Sequence, residues 1–582
     1  MDKRIKISLY IAFVLFCLFT LRLFNLQILK GNEYKKIDEQ NRLRVVDIHA
    51  PRGIIYDRNN RALVRNVPSF DITAIKEDVP DDEKILLAMG ELVGLNVKEL
   101  KSRLESSAAS PFENLILKQD VSFREAARVE ARKADLPGLQ VNVVGGREYI
   151  YGHAASHLLG YLGNLGSKQE ANPRYAGIPK DSFTGLFGIE KVHDMTLRGL
   201  AGKKILEVDA LGRIINVVRI QRPVKGKDLT LTINIDLQIE AEKNLRDKAG
   251  AVVALDPKTG AVLALASSPS FNPNQFVRGI DMRDWKRLIK DRRKPLLNRA
   301  IQSQYAPGST FKIITAIAAL EEGIINKDTK FYCSGSTMFG RLFKCWKKDG
   351  HGSVDLHKAI VESCDVYFYE VGKRIDIDIL SQYAFSHGFG QATGIGLEGE
   401  VAGIVPTRRW KEQVKGEKWY KGETLNTVIG QGYLSVTPLQ VASMMAAVVN
   451  GGILYEPFFI MQSGNGARAD GRKKINPAHI KLIKDALHGV VTEEKGTGRI
   501  AMSELVSIAG KTGTTQVVGG GSNEKDIPEK FRDHAWFVAL APVDDPRIVV
   551  SVFVEHGGHG STAAAPIAGK IIEVFYKNRT DG

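Results

Sequence analysis

A serine at 309 precedes a lysine at 312 in the string APGSTFK, which begins at Ala306. On a helix, residues three apart share one face with Cβ atoms about 5–6 Å apart, so the Lys312 amine can reach the Ser309 oxygen. A neutral amine there can take the hydroxyl proton and turn a weak alcohol into a nucleophile. Free lysine titrates at about 10.4, so burial and neighbouring cations have to lower its pKa. Phe311 and Ile313 are apolar neighbours of the kind that desolvate such a site. Following Pro307-Gly308, the same serine is equally a helix N-cap with no chemical task. The tetrad alone decides little, because Ser-x-x-Lys is common by chance.

Two strings downstream supply the rest of a mechanism. ESCDVYFYE contributes Ser363, Cys364 and Asp365; IAGKTGTTQ contributes Lys511, Thr512, Gly513 and Thr514. The apolar run into Lys-Thr-Gly reads as a strand whose Gly513 lets a ligand approach the backbone. The next backbone N–H, on Thr514, can then pair with that of Ser309 to stabilise a tetrahedral oxyanion. Lys511 supplies positive charge beside Ser363 and a hold on a substrate carboxylate. Each tripeptide alone is an ordinary loop or turn; the three in this order are a strong signal.

The elements that must position these residues follow from pattern. The chain has 582 residues, 43% hydrophobic, enough for two or more domains with their own cores. A formal net charge of +15 points to acidic surroundings, but there is no zinc-finger signature, long basic run or aromatic-basic RNA motif, so no nucleic-acid partner is expected. MDKRIK precedes an apolar run from Ile7 to Leu29, long enough to cross a hydrocarbon core of about 30 Å. No small-residue cleavage site follows it, which implies an uncleaved anchor, and Lys3, Arg4 and Lys6 place the N-terminus in the cytoplasm. The expected organisation is a cytoplasmic tail (1–6), an anchor (7–29), a mixed α+β pedestal without grouped catalytic residues (30–222), a catalytic domain (223–577) and a short tail (578–582). Within the pedestal, Asp57 to Asn60 has hairpin-turn composition, and Ser122 and Glu125 stand in capping-box register. GREYIYG and the segment from Gly185 to Arg213 read as short β-type pieces with glycine turns. The catalytic part reads as strands, then helices, then two strands and a closing helix. That pattern is an α+β domain with helices packed on one antiparallel sheet.

Ser-x-x-Lys, Ser-x-Asp and Lys-Thr-Gly in this order resemble the penicillin-binding proteins and serine β-lactamases, and the chain is most similar to a class B penicillin-binding protein. The resemblance covers the anchor, PRGIIYDRN at Pro51 to Asn59, GIEKVHD at Gly188 to Asp194, and nearly all of 223–577. Asp365 and the continuation into Thr515-Gln516 resemble the elongation-type penicillin-binding protein 2. The resemblance implies a peptidoglycan D,D-transpeptidase of the bacterial cytoplasmic membrane, single-pass, with its bulk periplasmic. It implies an acyl-enzyme on Ser309 formed from the D-Ala-D-Ala end of a stem pentapeptide, weak carboxypeptidase activity, and covalent inhibition by β-lactams. The implied roles are Lys312 as general base, Ser363 as proton relay to the leaving amine, and Asp365 and Lys511 as the groups that order that network. Thr512, Gly513 and Thr514 are implied to bind substrate. A SEDS-family glycosyltransferase and a rod-shape scaffold protein are the implied partners. A β-lactam hydrolase would need neither spacer nor anchor, a sensor would need a larger cytoplasmic module, and a scaffold would have no reason to keep the whole set.

Cys17 lies in the anchor, whereas Cys333, Cys345 and Cys364 fall within 32 residues with His351 among them. Cys3His suits structural zinc, and catalysis needs no cofactor. A Cys333 to Cys345 disulfide with Cys364 buried as a small apolar residue is the alternative. Cys364, between Ser363 and Asp365, is expected to point away from both, so that a metal would brace the catalytic loop from behind.

Overall fold

The computed structural model describes residues 3–32, 34–35, 42–106, 114–165, 172–176, 178, 182–209, 214–277, 279–461, 469–472, 474–517 and 528–580. The outermost residues of both expected tails, and the turn expected at 210–213, lie outside them. The apolar N-terminal run is a helix over Lys3–Leu29, its last turn of π type, with mean hydropathy 2.2 and no part buried in the protein. Its 27 residues exceed the roughly 20 needed to span a bilayer core.

Two antiparallel sheets follow. A three-stranded one orders Leu43–Ile48, Gly202–Val208 and Ile214–Gln221. The larger is built on the long strand Ala62–Ile75, which pairs with Ile55–Tyr56, Asn114–Val121 and Leu139–Tyr149. Its turn forms because the Asp57 carboxylate accepts from the N–H groups of Asn59 and Arg61, at 2.8 and 2.9 Å. Leu229–Thr230 joins this sheet by parallel pairing with Ile55–Tyr56. Helices Glu83–Val93, Val97–Ser106 and Phe123–Ala131 bury Leu86, Met89, Leu100 and Val129 against it. The Ser122 and Glu125 capping box is present.

The segment expected to be β-type through 188–198 instead contains two short helices, Gly188–Val192 and Asp194–Arg198. Buried charge explains the difference. Glu190 and Asp194, both fully buried, lie one helical turn apart and face three arginines. Arg52 reaches Glu190 and Asp194 at 2.7 Å each, Arg147 reaches Glu190 at 2.9 Å, and Arg198 reaches Asp194 at 2.6 Å. Burial alone would raise the Asp194 carboxyl, but Arg52 and Arg198 bring it below its ordinary range. The network joins the two pedestal motifs, PRG and GIEKVHD, across 138 residues of sequence.

In the catalytic part a five-stranded antiparallel sheet orders Val262–Ser268, Gly250–Leu255, Ile548–Val554, His534–Ala541 and Ala509–Thr515. The two early strands form one side of the sheet and the three late strands the other, joined where Gly250–Leu255 pairs with Ile548–Val554, so the sheet closes only when both ends of the domain are in place. Alternation sends Val252, Ala254 and Phe537 to one face, beneath helices Ile235–Asn244 and Ala565–Thr580. Ala251, Val253, Trp536 and Val538 go to the other, against the central helices. Both faces are covered, and for that reason these strands read as continuous apolar runs.

Replacing Glu190 with alanine leaves buried guanidinium groups uncompensated, a loss of about 3–5 kcal/mol. The melting temperature of the detergent-solubilised protein is expected to fall by several degrees, whereas Lys101→Ala, which breaks the exposed pair with Asp81, leaves it unchanged.

Candidate active site

Ser309 lies in the 3-10 turn Gly308–Phe311, and Lys312 opens the helix Lys312–Glu321 that continues it. Ile313, Ile314, Ala316 and Ile317 bury that helix in the core, so the turn is carried on a rigid element. Gly308 has φ +54°, and a Cβ there would meet the Thr514 carbonyl at 2.7 Å. Only glycine lets the nucleophile's turn lie this close to the Lys-Thr-Gly strand.

Lys312 is fully buried. Its amine donates to the Ser363 carbonyl at 2.9 Å, the Ser363 hydroxyl at 3.3 Å and the Asp365 carboxylate at 2.7 Å, and it sits 5.5 Å from the centre of the Phe368 ring. The hydrogen bonds of the amine are therefore to the second motif rather than to Ser309, which is partly exposed. Ser363 lies between helices Leu356–Val361 and Asp365–Arg374 with φ +55°. For a residue with a Cβ that conformation costs on the order of 1–2 kcal/mol, which the hydrogen bonds on its carbonyl help to offset.

The third motif lies on Ala509–Thr515, an edge strand of the sheet paired with His534–Ala541. Lys511 is fully buried with its amine 3.3 Å from the Thr512 carbonyl. Burial and the nearby Lys312 push its pKa well below that of ordinary lysine, with Asp365 opposing. Thr512 shares a hydroxyl hydrogen bond with Thr497 at 2.8 Å, and Thr514 accepts from the Gly560 N–H at 3.5 Å. A Cβ at Gly513 would meet the Pro307 carbonyl at 2.9 Å and Trp536 Cβ at 3.0 Å. The close approach that this glycine permits is thus made by the nucleophile's own turn and by Trp536.

Cys333, Cys345, His351 and Cys364 converge as expected, all buried, with their ligand atoms within 4.8 Å of one another. His351 Nδ1 faces the thiols, 3.5 Å from Cys333 and 3.6 Å from Cys345, while its Nε2 lies 3.9 Å from Glu362 without a hydrogen bond. The cysteines are free thiols. Hydrogen bonding with Cys364 pulls Cys345 well below the usual thiol range, and Cys364 is pushed up in turn. The group can hold a metal ion.

Comparison with known proteins identifies the family of the chain. The model of the penicillin-binding protein transpeptidase domain matches residues 250–573, and that of the penicillin-binding protein dimerisation domain matches residues 47–231. The chain belongs to the penicillin-binding protein transpeptidase family. It is 35% identical to the peptidoglycan D,D-transpeptidase MrdA of Haemophilus influenzae over 97% of this chain and 89% of that one. A solved complex of the penicillin-binding protein PBP2 with MreC from Helicobacter pylori superposes with TM-score 0.80 at 30% identity, covering 92% of this chain and 99% of the other. A chain in a structure of a peptidoglycan synthase complex that coordinates polymerization and crosslinking superposes with TM-score 0.74 at 30% identity, covering 99% and 98%. This penicillin-binding protein is therefore of the class B, PBP2/MrdA type, a serine-type peptidoglycan D,D-transpeptidase.

Several residues around the site of the transpeptidase carried no sequence signal of their own. The Ala306 carbonyl accepts from the Thr515 hydroxyl at 2.6 Å and the Trp536 indole at 3.1 Å, which ties the nucleophile's turn to the edge strand. Gln431 donates to the Thr514 carbonyl at 3.4 Å. Thr515 was visible only as the continuation of Lys-Thr-Gly-Thr. Trp346 stands beside a metal-ligand candidate and touches the second motif across 17 residues.

Proposed function

We propose that this enzyme cross-links stem peptides during cell elongation through an acyl-enzyme on Ser309. The observation that supports this reading is the Lys312 amine in hydrogen-bond contact with Ser363 and Asp365, with Lys511 near enough to act on both charges and the Ser309 turn packed on the strand that carries Lys511. Ser309 attacks the carbonyl between the two terminal D-alanines, and the tetrahedral oxyanion is received by the backbone N–H groups of Ser309 and Thr514. Lys312 takes the serine proton. Ser363, in contact with Lys312, relays a proton to the departing D-alanine amine, and Asp365 fixes the lysine from the other side. The protons move within a coupled set rather than on one residue. The terminal carboxylate is held by Lys511, Thr512 and Thr514, and its arrival favours protonation of Lys511. An amine from a neighbouring stem then takes the acyl group. A β-lactam acylates the same serine but leaves no departing amine to be replaced.

The relatives support a wider assignment. The helix over Lys3–Leu29 anchors the protein once in the cytoplasmic membrane, the N-terminus inside and residues 30–222 forming a pedestal beneath a catalytic domain at 223–577. The Helicobacter pylori relative was solved with MreC, and another relative within a complex that couples polymerization to crosslinking. A rod-shape scaffold and a SEDS-family glycosyltransferase are accordingly the partners proposed for the pedestal and anchor.

Zinc is the metal proposed for the cysteine cluster. With Zn–S of about 2.3 Å and Zn–N of about 2.0–2.1 Å, a tetrahedral S···N edge is about 3.6 Å, which matches the 3.5 and 3.6 Å separations from His351 Nδ1. Glu362 beyond Nε2 suits the outer partner of a ligating histidine. The ion has a bracing role, since Cys364 is the residue between Ser363 and Asp365 and Asp365 N–H donates to Cys345 Sγ at 3.4 Å.

In cells depleted of the protein, the wild type is expected to restore rod shape and to take up fluorescent penicillin. Ser309→Ala is expected to do neither; labelling of that variant at the wild-type rate would remove the nucleophile assignment. Elemental analysis is expected to find one zinc per chain, lost on Cys333→Ser. Zinc-free protein with a mapped Cys333 to Cys345 disulfide would contradict the metal.

A further inference from the structure

Trp346 is 60% exposed, yet its backbone and its ring nitrogen are both committed to the second motif. The indole N–H is shared between the carbonyls of Glu362 and Ser363, at 3.1 and 3.2 Å, and the Trp346 backbone N–H donates to Asp365 Oδ2 at 3.0 Å. Lys312 occupies the complementary positions, on the Ser363 carbonyl and on Asp365 Oδ1. The Ser363 carbonyl and the Asp365 carboxylate are therefore each held between Lys312 on the buried side and Trp346 on the exposed side. Burial does not explain where this ring sits, since a mostly exposed indole gains little from leaving water. Besides its hydrogen bonds it makes an edge contact with His351, at 5.5 Å between centres.

The geometry points to Trp346 as a positioning residue for the acylation step, one that fixes the left-handed Ser363 so that its hydroxyl stays on the Lys312 amine. The inference rests on the reading of Ser363 as proton relay. Backbone at φ +55° is not what serine adopts unaided, and turning the peptide at Ser363 would carry both its carbonyl and its hydroxyl away from Lys312. Lys312 alone cannot prevent this without giving up the contact that makes it useful. A second donor that takes no part in proton transfer separates the two tasks: Trp346 keeps the backbone in place while the amine is free to exchange its proton. The same residue follows Cys345 directly, so the cysteine cluster anchors the chain that presents the indole.

The test uses the full-length protein in detergent and single-turnover acylation by a fluorescent penicillin, resolved into the dissociation constant of the first complex and the acylation rate constant. Two replacements are compared: Trp346→Phe, and substitution of the indole by benzothiophene, which keeps the shape and replaces the N–H with sulfur. Loss of one well-placed donor is expected to slow acylation by about tenfold in both. The first dissociation constant should stay within about twofold and the melting temperature unchanged, because the ring is exposed. Wild-type acylation in the benzothiophene protein, or a slowing that appears only as weaker first binding or only with a lowered melting temperature, overturns the assignment. Ser363→Ala is measured alongside: if it acylates at the wild-type rate, the relay reading itself fails and takes the inference with it. If Ser363→Ala is slow and the benzothiophene protein is not, only the role of Trp346 falls.

Discussion

The catalytic half of this protein is organised around one buried amine. Lys312 has no exposure to solvent, and the hydrogen bonds of its amine all go to the second motif, 51 to 53 residues further along the chain. A lysine this deep is tolerable only with partners for its hydrogens, and the carbonyl and hydroxyl of Ser363 with the carboxylate of Asp365 supply three. The requirement propagates outward. Ser363 has to take a left-handed backbone to present both its oxygens, Trp346 has to back it from the solvent side, and the cysteine cluster has to hold the segment that carries Trp346.

The other wall of the cleft is constrained by contact. The nucleophile's turn presses against the edge strand at Gly308 and Gly513, where any side chain would collide with backbone. Thr515 and Trp536 then fasten the Ala306 carbonyl from the strand side. These restraints fix the turn that carries Ser309 against the strand that carries Thr514. Because the edge strand is added to a sheet whose neighbours come from both ends of the domain, the cleft exists only in the fully folded chain.

What the sequence made legible was local. The Ser122 and Glu125 cap was readable because a three-residue spacing at a helix start is a geometric statement, and the N-terminal helix because of the length of its apolar run; the same spacing put the Lys312 amine at Ser309, whereas it bonds to Ser363 and Asp365. The strand carrying Lys511 was recognisable from its apolar approach and its glycine. The failures are all long-range. Glu190 and Asp194 fold 188–198 into helices because they meet Arg52 and Arg147, residues far away in the chain, and local β-type composition gave no hint of it. Trp346 reaches the second motif across 17 residues, and the bonds on the Ala306 carbonyl join positions 209 and 230 residues apart. The convergence of the four metal-ligand candidates was anticipated from composition alone, since their irregular spacing matches no short motif.

A crystal structure of the extracytoplasmic part after reaction with a penicillin bears most directly on this account. It should show a covalent bond from Ser309 Oγ to the opened ring, the carbonyl oxygen within hydrogen-bond distance of the N–H groups of Ser309 and Thr514, and Lys312 still in contact with Ser363 and Asp365. An adduct on another residue, or Lys312 swung out of reach of both the adduct and Ser363, would contradict it.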